Sequence, residues 1–183
     1  MNRKNVFTVV IAGWLAVLGG WVVSAQDKYS VSVPGGLAFS DFRGYEDWQM
    51  ISMSHNGGVV AVILGNPAMI NAYRAGIPGN GQPFPDGAKM AKVHWIPKTN
   101  TFFPDATVPG NLLNVDFMEK DSKRFADSGG WGYAVFDYDA ASDTFKPGTT
   151  AGTPPQGNDA KCGFACHTRV KTRDYVFTDY GHR

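Results

Sequence analysis

WGYAVFDY, Trp131 to Tyr138, is the stretch on which the reading of the fold turns. It is rich in aromatic residues and is preceded by Gly129-Gly130, so it reads as a β-strand. Upstream, Leu112 to Met118 is a second strand, with Leu113, Val115 and Phe117 aligned on one face. Ala88 to Trp95 is a third. Its period of two puts Met90, Lys92 and His94 on one face and Ala91, Val93 and Trp95 on the other. Further back, Trp48 to Ser54 alternates in the same way. His55-Asn56-Gly57-Gly58 then turns the chain into the apolar run Val59 to Leu64, which gives a hairpin.

Helices are few and short. Asn66 as cap, Pro67 in the first turn and Gly76 after Ala75 delimit one. Asp121 caps another through Phe125 and Ala126. A third opens at Cys162 and ends near Arg173. Ile77 to Gly87 and Thr149 to Asp159 are loops, and Gln26 to Gly44, marked by Pro34-Gly35-Gly36, is a loosely structured lead-in. Strands outnumber helices and no βαβ alternation appears. The expected class is α+β, an antiparallel sheet with a few short helices.

The first residues read as an export signal. Arg3 and Lys4 precede an apolar stretch from Val6 to Val23, and Val23-Ser24-Ala25 is a small-residue cleavage site, so cleavage is expected after Ala25. An uncleaved membrane anchor is the alternative, because the stretch approaches bilayer-spanning length. Residues 26 to 183 then form a single domain. Arg3 and Lys4 leave with the signal, so 15 basic residues face 16 acidic ones and the formal charge is −1. That balance points away from a nucleic-acid partner.

The run CGFACH, Cys162 to His167, contains the chain's two cysteines. Two cysteines followed at once by a histidine is the arrangement that attaches a c-type haem. The thiols add to the porphyrin vinyl groups and the imidazole ligates the iron. Gly163, Phe164 and Ala165 separate the cysteines, three residues where the usual run has two. On a helix, residues three or four apart share a face, and Gly163 tolerates the backbone adjustment that an extra residue asks for. A Cys162–Cys166 disulfide is the competing reading, but it closes a tiny loop and stabilises little. Structural zinc wants four protein ligands, and His55, His94 and His182 are scattered.

Four stretches in this order resemble the cytochrome P-460 family, which includes cytochrome c′-beta. They are YEDWQM (Tyr45 to Met50), FPDGAKMAK (Phe84 to Lys92), KDSKRFADSGGWGYAVFDY (Lys120 to Tyr138) and CGFACHTRVKTRDYVFT (Cys162 to Thr178). The resemblance implies an antiparallel sheet with one covalently bound haem c packed against it. Cys162 and Cys166 match its thioether cysteines, and His167 its proximal iron ligand. Lys92 falls where hydroxylamine-oxidising members carry a lysine bonded to the porphyrin edge; the plainer fate is a solvated lysine on an exposed strand. Two departures stand out: the cysteine spacing, and the apolar residues from Val59 to Leu64 where enzyme-type members place an arginine.

Three functions compete. A five-coordinate iron could oxidise hydroxylamine, which needs a proton-accepting carboxylate and a redox partner protein; Asp116, Glu119, Asp137 and Asp139 are the candidates. The same site could bind nitric oxide or carbon monoxide in an aromatic distal pocket built from Phe84, Phe102, Phe103, Phe117, Trp131 and Phe136. Or His94 or Met90 could cap the iron and leave a six-coordinate electron-transfer cytochrome, with Met50, Met53 and Met118 as core residues. The resemblance argues for an open sixth position and is compatible with a homodimer, in the periplasm.

Overall fold

Six runs with side chains alternating across the pleat pair in the order in which they are made. The computed structural model describes residues 27–33, 36–148 and 161–182. The strands are β1 (Gln49–Asn56), β2 (Val59–Gly65), β3 (Lys89–Thr99), β4 (Thr107–Lys120), β5 (Trp131–Asp139) and β6 (Thr144–Pro147). Every pair is antiparallel and the sheet order is β1-β2-β3-β4-β5-β6. The fold is therefore α+β, as the alternation predicts. The signal segment and the Thr149–Asp159 loop lie outside the described residues. Among the described residues no helix is long and apolar enough to cross a membrane.

Local chemistry explains most boundaries. Asn56 pairs with Val59, so Gly57-Gly58 is a two-residue turn, and both glycines take positive φ (59° and 77°) as such a turn demands. Helix α1 (Pro67–Arg74) has Asn66 as its cap, the side chain accepting from the Met69 N–H at 3.0 Å. Helix α2 (Lys161–His167) passes into a 3-10 segment, Thr168–Arg173.

Four features differ from the sequence reading. β3 and β4 run past the apolar stretches, because the pairs Pro97↔Pro109, Lys98↔Val108 and Thr99↔Thr107 extend them as a ribbon that hydrophobic alternation does not mark. β6 is a strand of four residues in which only Phe145 is buried, too short for a pattern. Asp121 caps a turn instead of an α-helix: its carboxylate accepts from the N–H groups of Lys123 and Arg124, and a 3-10 turn follows at Ala126–Ser128.

The fourth difference matters most for function. In an antiparallel pair, residues directly opposite share a face. Ala91, Val93, Val115, Phe117, Ala134 and Phe136 make one face, and residues of the lead-in cover it. Far from being loose, that segment buries Val31, Val33, Leu37, Phe39 and Phe42. Phe39 sits at its centre, with ring centroids 5.1 Å from Phe117, 5.1 Å from Phe136 and 4.9 Å from Phe145. One face is thus sealed by the chain's own N-terminal part. A large ligand has only the other face, where Met90, Met118 and Tyr133 lie beside α1 and the C-terminal tail.

Candidate functional site

The open face carries Met90, Lys92 and His94, as their period of two predicts. Register then adds neighbours that the single strand cannot show: Lys92 lies between Ile63 on β2 and Asp116 on β4, and Asp116 lies opposite Val135 on β5. All four line one cavity. Gly163 and His167 of α2 and Phe177 and Thr178 of the tail form its other wall. The fold has therefore brought Lys92 and His167 to the two sides of a single space.

His167 is held in one tautomer and one orientation. Its Nδ1 stands 2.5 Å from the Tyr175 carbonyl oxygen. A carbonyl only accepts, so Nδ1 carries the proton and Nε2 keeps its lone pair for a metal. The carbonyl is aimed by a turn in which Asp174 (φ 49°) and Tyr175 (φ 64°) both take left-handed backbone. The rings of Tyr133 and Phe177 flank the imidazole at 5.2 and 5.0 Å between centroids. Burial pushes its pKa below the ordinary histidine value; the Tyr175 bond works against that and the Lys92 charge with it. The imidazole is neutral at pH 7, the form that binds metal.

Opposite, burial pushes the Asp116 carboxyl up to about 6, with the Lys92 charge opposing and Asp137 adding to the rise. A second cavity adjoins the first, lined by Ser54, Asn56, His94 and Asn114 and sharing Lys92 and Asp116 with it. His94 Nδ1 is 3.7 Å from Asp116 Oδ2. Burial and then the Lys92 charge lower the His94 pKa, so this histidine is neutral too. Tyr133 lines the first cavity with its hydroxyl buried and without a hydrogen-bond partner. Burial pushes that hydroxyl upward, so it stays protonated.

These residues fit a haem. Among the described residues no group of three or more His, Cys, Asp or Glu is placed to hold a metal ion. One oriented imidazole with a free Nε2 instead suits a metal that brings its remaining ligands in a macrocycle. The cavity wall is apolar where Ile63, Met90, Met118 and Phe177 meet, and polar at Lys92 and Asp116. Cys162 and Cys166 both lie within α2, four residues apart, so at about 100° per residue they are roughly 40° apart around the helix. Cys166 is exposed; the Cys162 side chain is outside the described ones.

The structure sorts the other candidates. Among the acids, only Asp116 lines the cavity. Asp137 is further along the same face, opposite Asn114. Glu119 pairs with Lys89 at 3.1 Å, and Asp139 caps the β5–β6 turn through the Ala141 N–H. The expected distal aromatic pocket is corrected. Phe102 and Phe103 are exposed in the β3–β4 turn, Phe117 and Phe136 have their side chains on the sealed face, and Phe84 and Trp131 are core. Met90 and Met118 line the His167 cavity, His94 lines only the neighbouring one, and Met50 and Met53 are exposed.

Tyr133, Phe177 and the Tyr175 carbonyl are the site's additions. Tyr133 was reachable in principle, two residues from Trp131 and Val135 on one strand, but only the register of β5 against β4 shows which face it shares. A family model described as Cytochrome P460 matches residues 42–178. No curated protein matches the chain.

Proposed function

Because the chain belongs to the cytochrome P460 family, whose members carry haem, we propose that it is an exported mono-haem c-type cytochrome that binds or oxidises small nitrogen species, hydroxylamine and nitric oxide, at a five-coordinate iron. The observation that carries this reading is the cavity that sets Lys92 and Asp116 across from His167. Cys162 and Cys166 would attach the porphyrin, and His167 would offer its Nε2 to the iron. When bound, the haem would supply one-electron chemistry at its iron.

The chain's own residues do the rest. The Tyr175 carbonyl fixes the His167 tautomer and ring orientation. Hydroxylamine loses protons as it is oxidised, and Asp116, with its carboxyl near 6, is ionised at pH 7 yet close enough to neutral pH to accept one. Lys92, beside it, would face the porphyrin edge, and its charge favours the ionised carboxylate. Electrons leave to a redox partner protein. Export, with cleavage after Ala25 and a single domain from 26 to 183, places this chemistry in the periplasm.

Asp116→Asn tests the acid–base part. With Asp116 ionised, turnover of hydroxylamine should rise through about pH 6 and level off above it, because the deprotonated carboxylate is the active form. The asparagine variant should lose that limb and on the order of a hundredfold in rate. Steady-state reduction of an acceptor dye across this range reads both. A variant with the same limb and the same rate would remove Asp116 from the mechanism.

A further inference from the structure

The turn that aims the Tyr175 carbonyl is itself clamped by a pair of charges that do not line the cavity. We propose that Lys120 and Asp174 are positioning residues for the proximal histidine, setting the iron's reduction potential through the Tyr175 carbonyl. The inference rests on the haem reading above.

Lys120 is the last residue of β4 and is buried, with only 7 % of its side chain exposed. Its Nζ donates to Asp174 Oδ1 at 2.7 Å and to the Gly129 carbonyl at 3.0 Å, and it lies 5.2 Å from the centre of a Trp131 ring. The other Asp174 oxygen accepts the Phe84 N–H at 2.8 Å. Both members are therefore satisfied, and a buried network of this kind rigidifies what it holds. What it holds is the left-handed turn at Asp174 and Tyr175. The Tyr175 ring is pressed against Gly129 so closely that a Cβ there would lie 2.2 Å from Tyr175 Cε2. Lys120 thus ties the Gly129 turn and Asp174 together, with Tyr175 between them. The Tyr175 carbonyl that leaves this clamp accepts the hydrogen bond from His167 Nδ1–H.

The consequence is electronic. A strong Nδ1–H···O bond makes an imidazole a better electron donor to the metal, which favours the oxidised state. Loosening the clamp weakens that bond. The iron–histidine stretching frequency should fall and the midpoint potential should rise, so that the ferrous fraction at a fixed applied potential increases severalfold.

The test compares the haem-loaded wild type with Asp174→Asn, the double variant Lys120→Met/Asp174→Asn, which removes both charges together, and Lys120→Arg, which keeps the cation. Lys89→Met serves as control, since Lys89 makes an ion pair with Glu119 whose side chain points to the sealed face. Resonance Raman spectra of the ferrous proteins and redox titrations are the readouts. The Asn and double variants should shift both quantities, Lys120→Arg should restore most of the wild-type values, and the control should lose stability without shifting either. Should the first two not accumulate, Gly129→Ala displaces Tyr175 from its other side and should move the frequency the same way. Unmoved frequencies and potentials in the variants that fold overturn the inference. A wild type lacking covalent haem instead overturns the proposed function on which it rests.

Discussion

His167→Ala is expected to have the largest effect of any single substitution: on the order of a hundredfold or greater loss of hydroxylamine turnover, with a changed ferric spectrum. Among the described residues His167 is the only imidazole lining the cavity, and its Nδ1 proton is committed to the Tyr175 carbonyl, which leaves Nε2 free for the iron that the proposed function assigns to it. Alanine removes the ligand but leaves a hole bordered by Tyr133 and Phe177 that a free imidazole can enter. Added imidazole should therefore restore part of the spectrum and of the rate. Optical titration of the purified variant checks this, and an unchanged spectrum without imidazole would contradict the ligand assignment.

Lys92→Leu is expected to separate catalysis from gas binding. Leucine keeps much of the lysine's apolar stem beside Ile63 and removes the amine. If Lys92 is joined to the porphyrin edge, the wild-type spectrum is unusual for haem c, and the variant should revert to an ordinary five-coordinate one. Turnover should fall on the order of a hundredfold while nitric oxide still binds. An uncoupled Lys92 gives a different signature: its free ammonium lowers the Asp116 pKa against the effect of burial, so its removal should move the residual pH limb above 6. The same loss should raise the His94 pKa, which the lysine charge helps to depress. An unmoved spectrum and undiminished turnover would remove Lys92 from the mechanism; a wild type that binds nitric oxide but turns over no hydroxylamine would leave gas binding as the better account.

The sequence carried the parts of this fold that depend on alternation and on special backbone angles. The β1–β2 hairpin was legible because Gly57 and Gly58 satisfy a two-residue turn, and α1 because Asn66 and Pro67 start it. The shared face of Met90, Lys92 and His94 was legible from period two alone. What alternation cannot say is which face is closed. Phe117 and Phe136 read as pocket residues from alternation alone, but Phe39 packs edge-on against Phe117 and at a tilt against Phe136, and Phe42 stacks on Phe117 with ring centroids 4.0 Å apart. The covering segment is built from short 3-10 turns, Lys28–Ser30, Phe39–Phe42 and Tyr45–Asp47, which have too few residues to show a period.

The site divides along the same line. Residues whose side-chain chemistry is distinctive, namely Cys162, Cys166 and His167, stood out in sequence, and Lys92 stood out through the family resemblance. Asp116 could not be chosen over Glu119 until register put it opposite Lys92. The Tyr175 carbonyl left no trace in the sequence, since every residue has a carbonyl and only the left-handed turn at Asp174 and Tyr175 directs this one.

The central claim is that the CGFACH run holds a covalent haem against the open face of the sheet, and mass spectrometry of the mature protein reads it most directly. The peptide from Lys161 to Arg169 should carry the added mass of one haem through both cysteines, and the intact chain should begin at Gln26. Unmodified cysteines, or a Cys162–Cys166 disulfide, in protein matured in a host competent for haem attachment would contradict it.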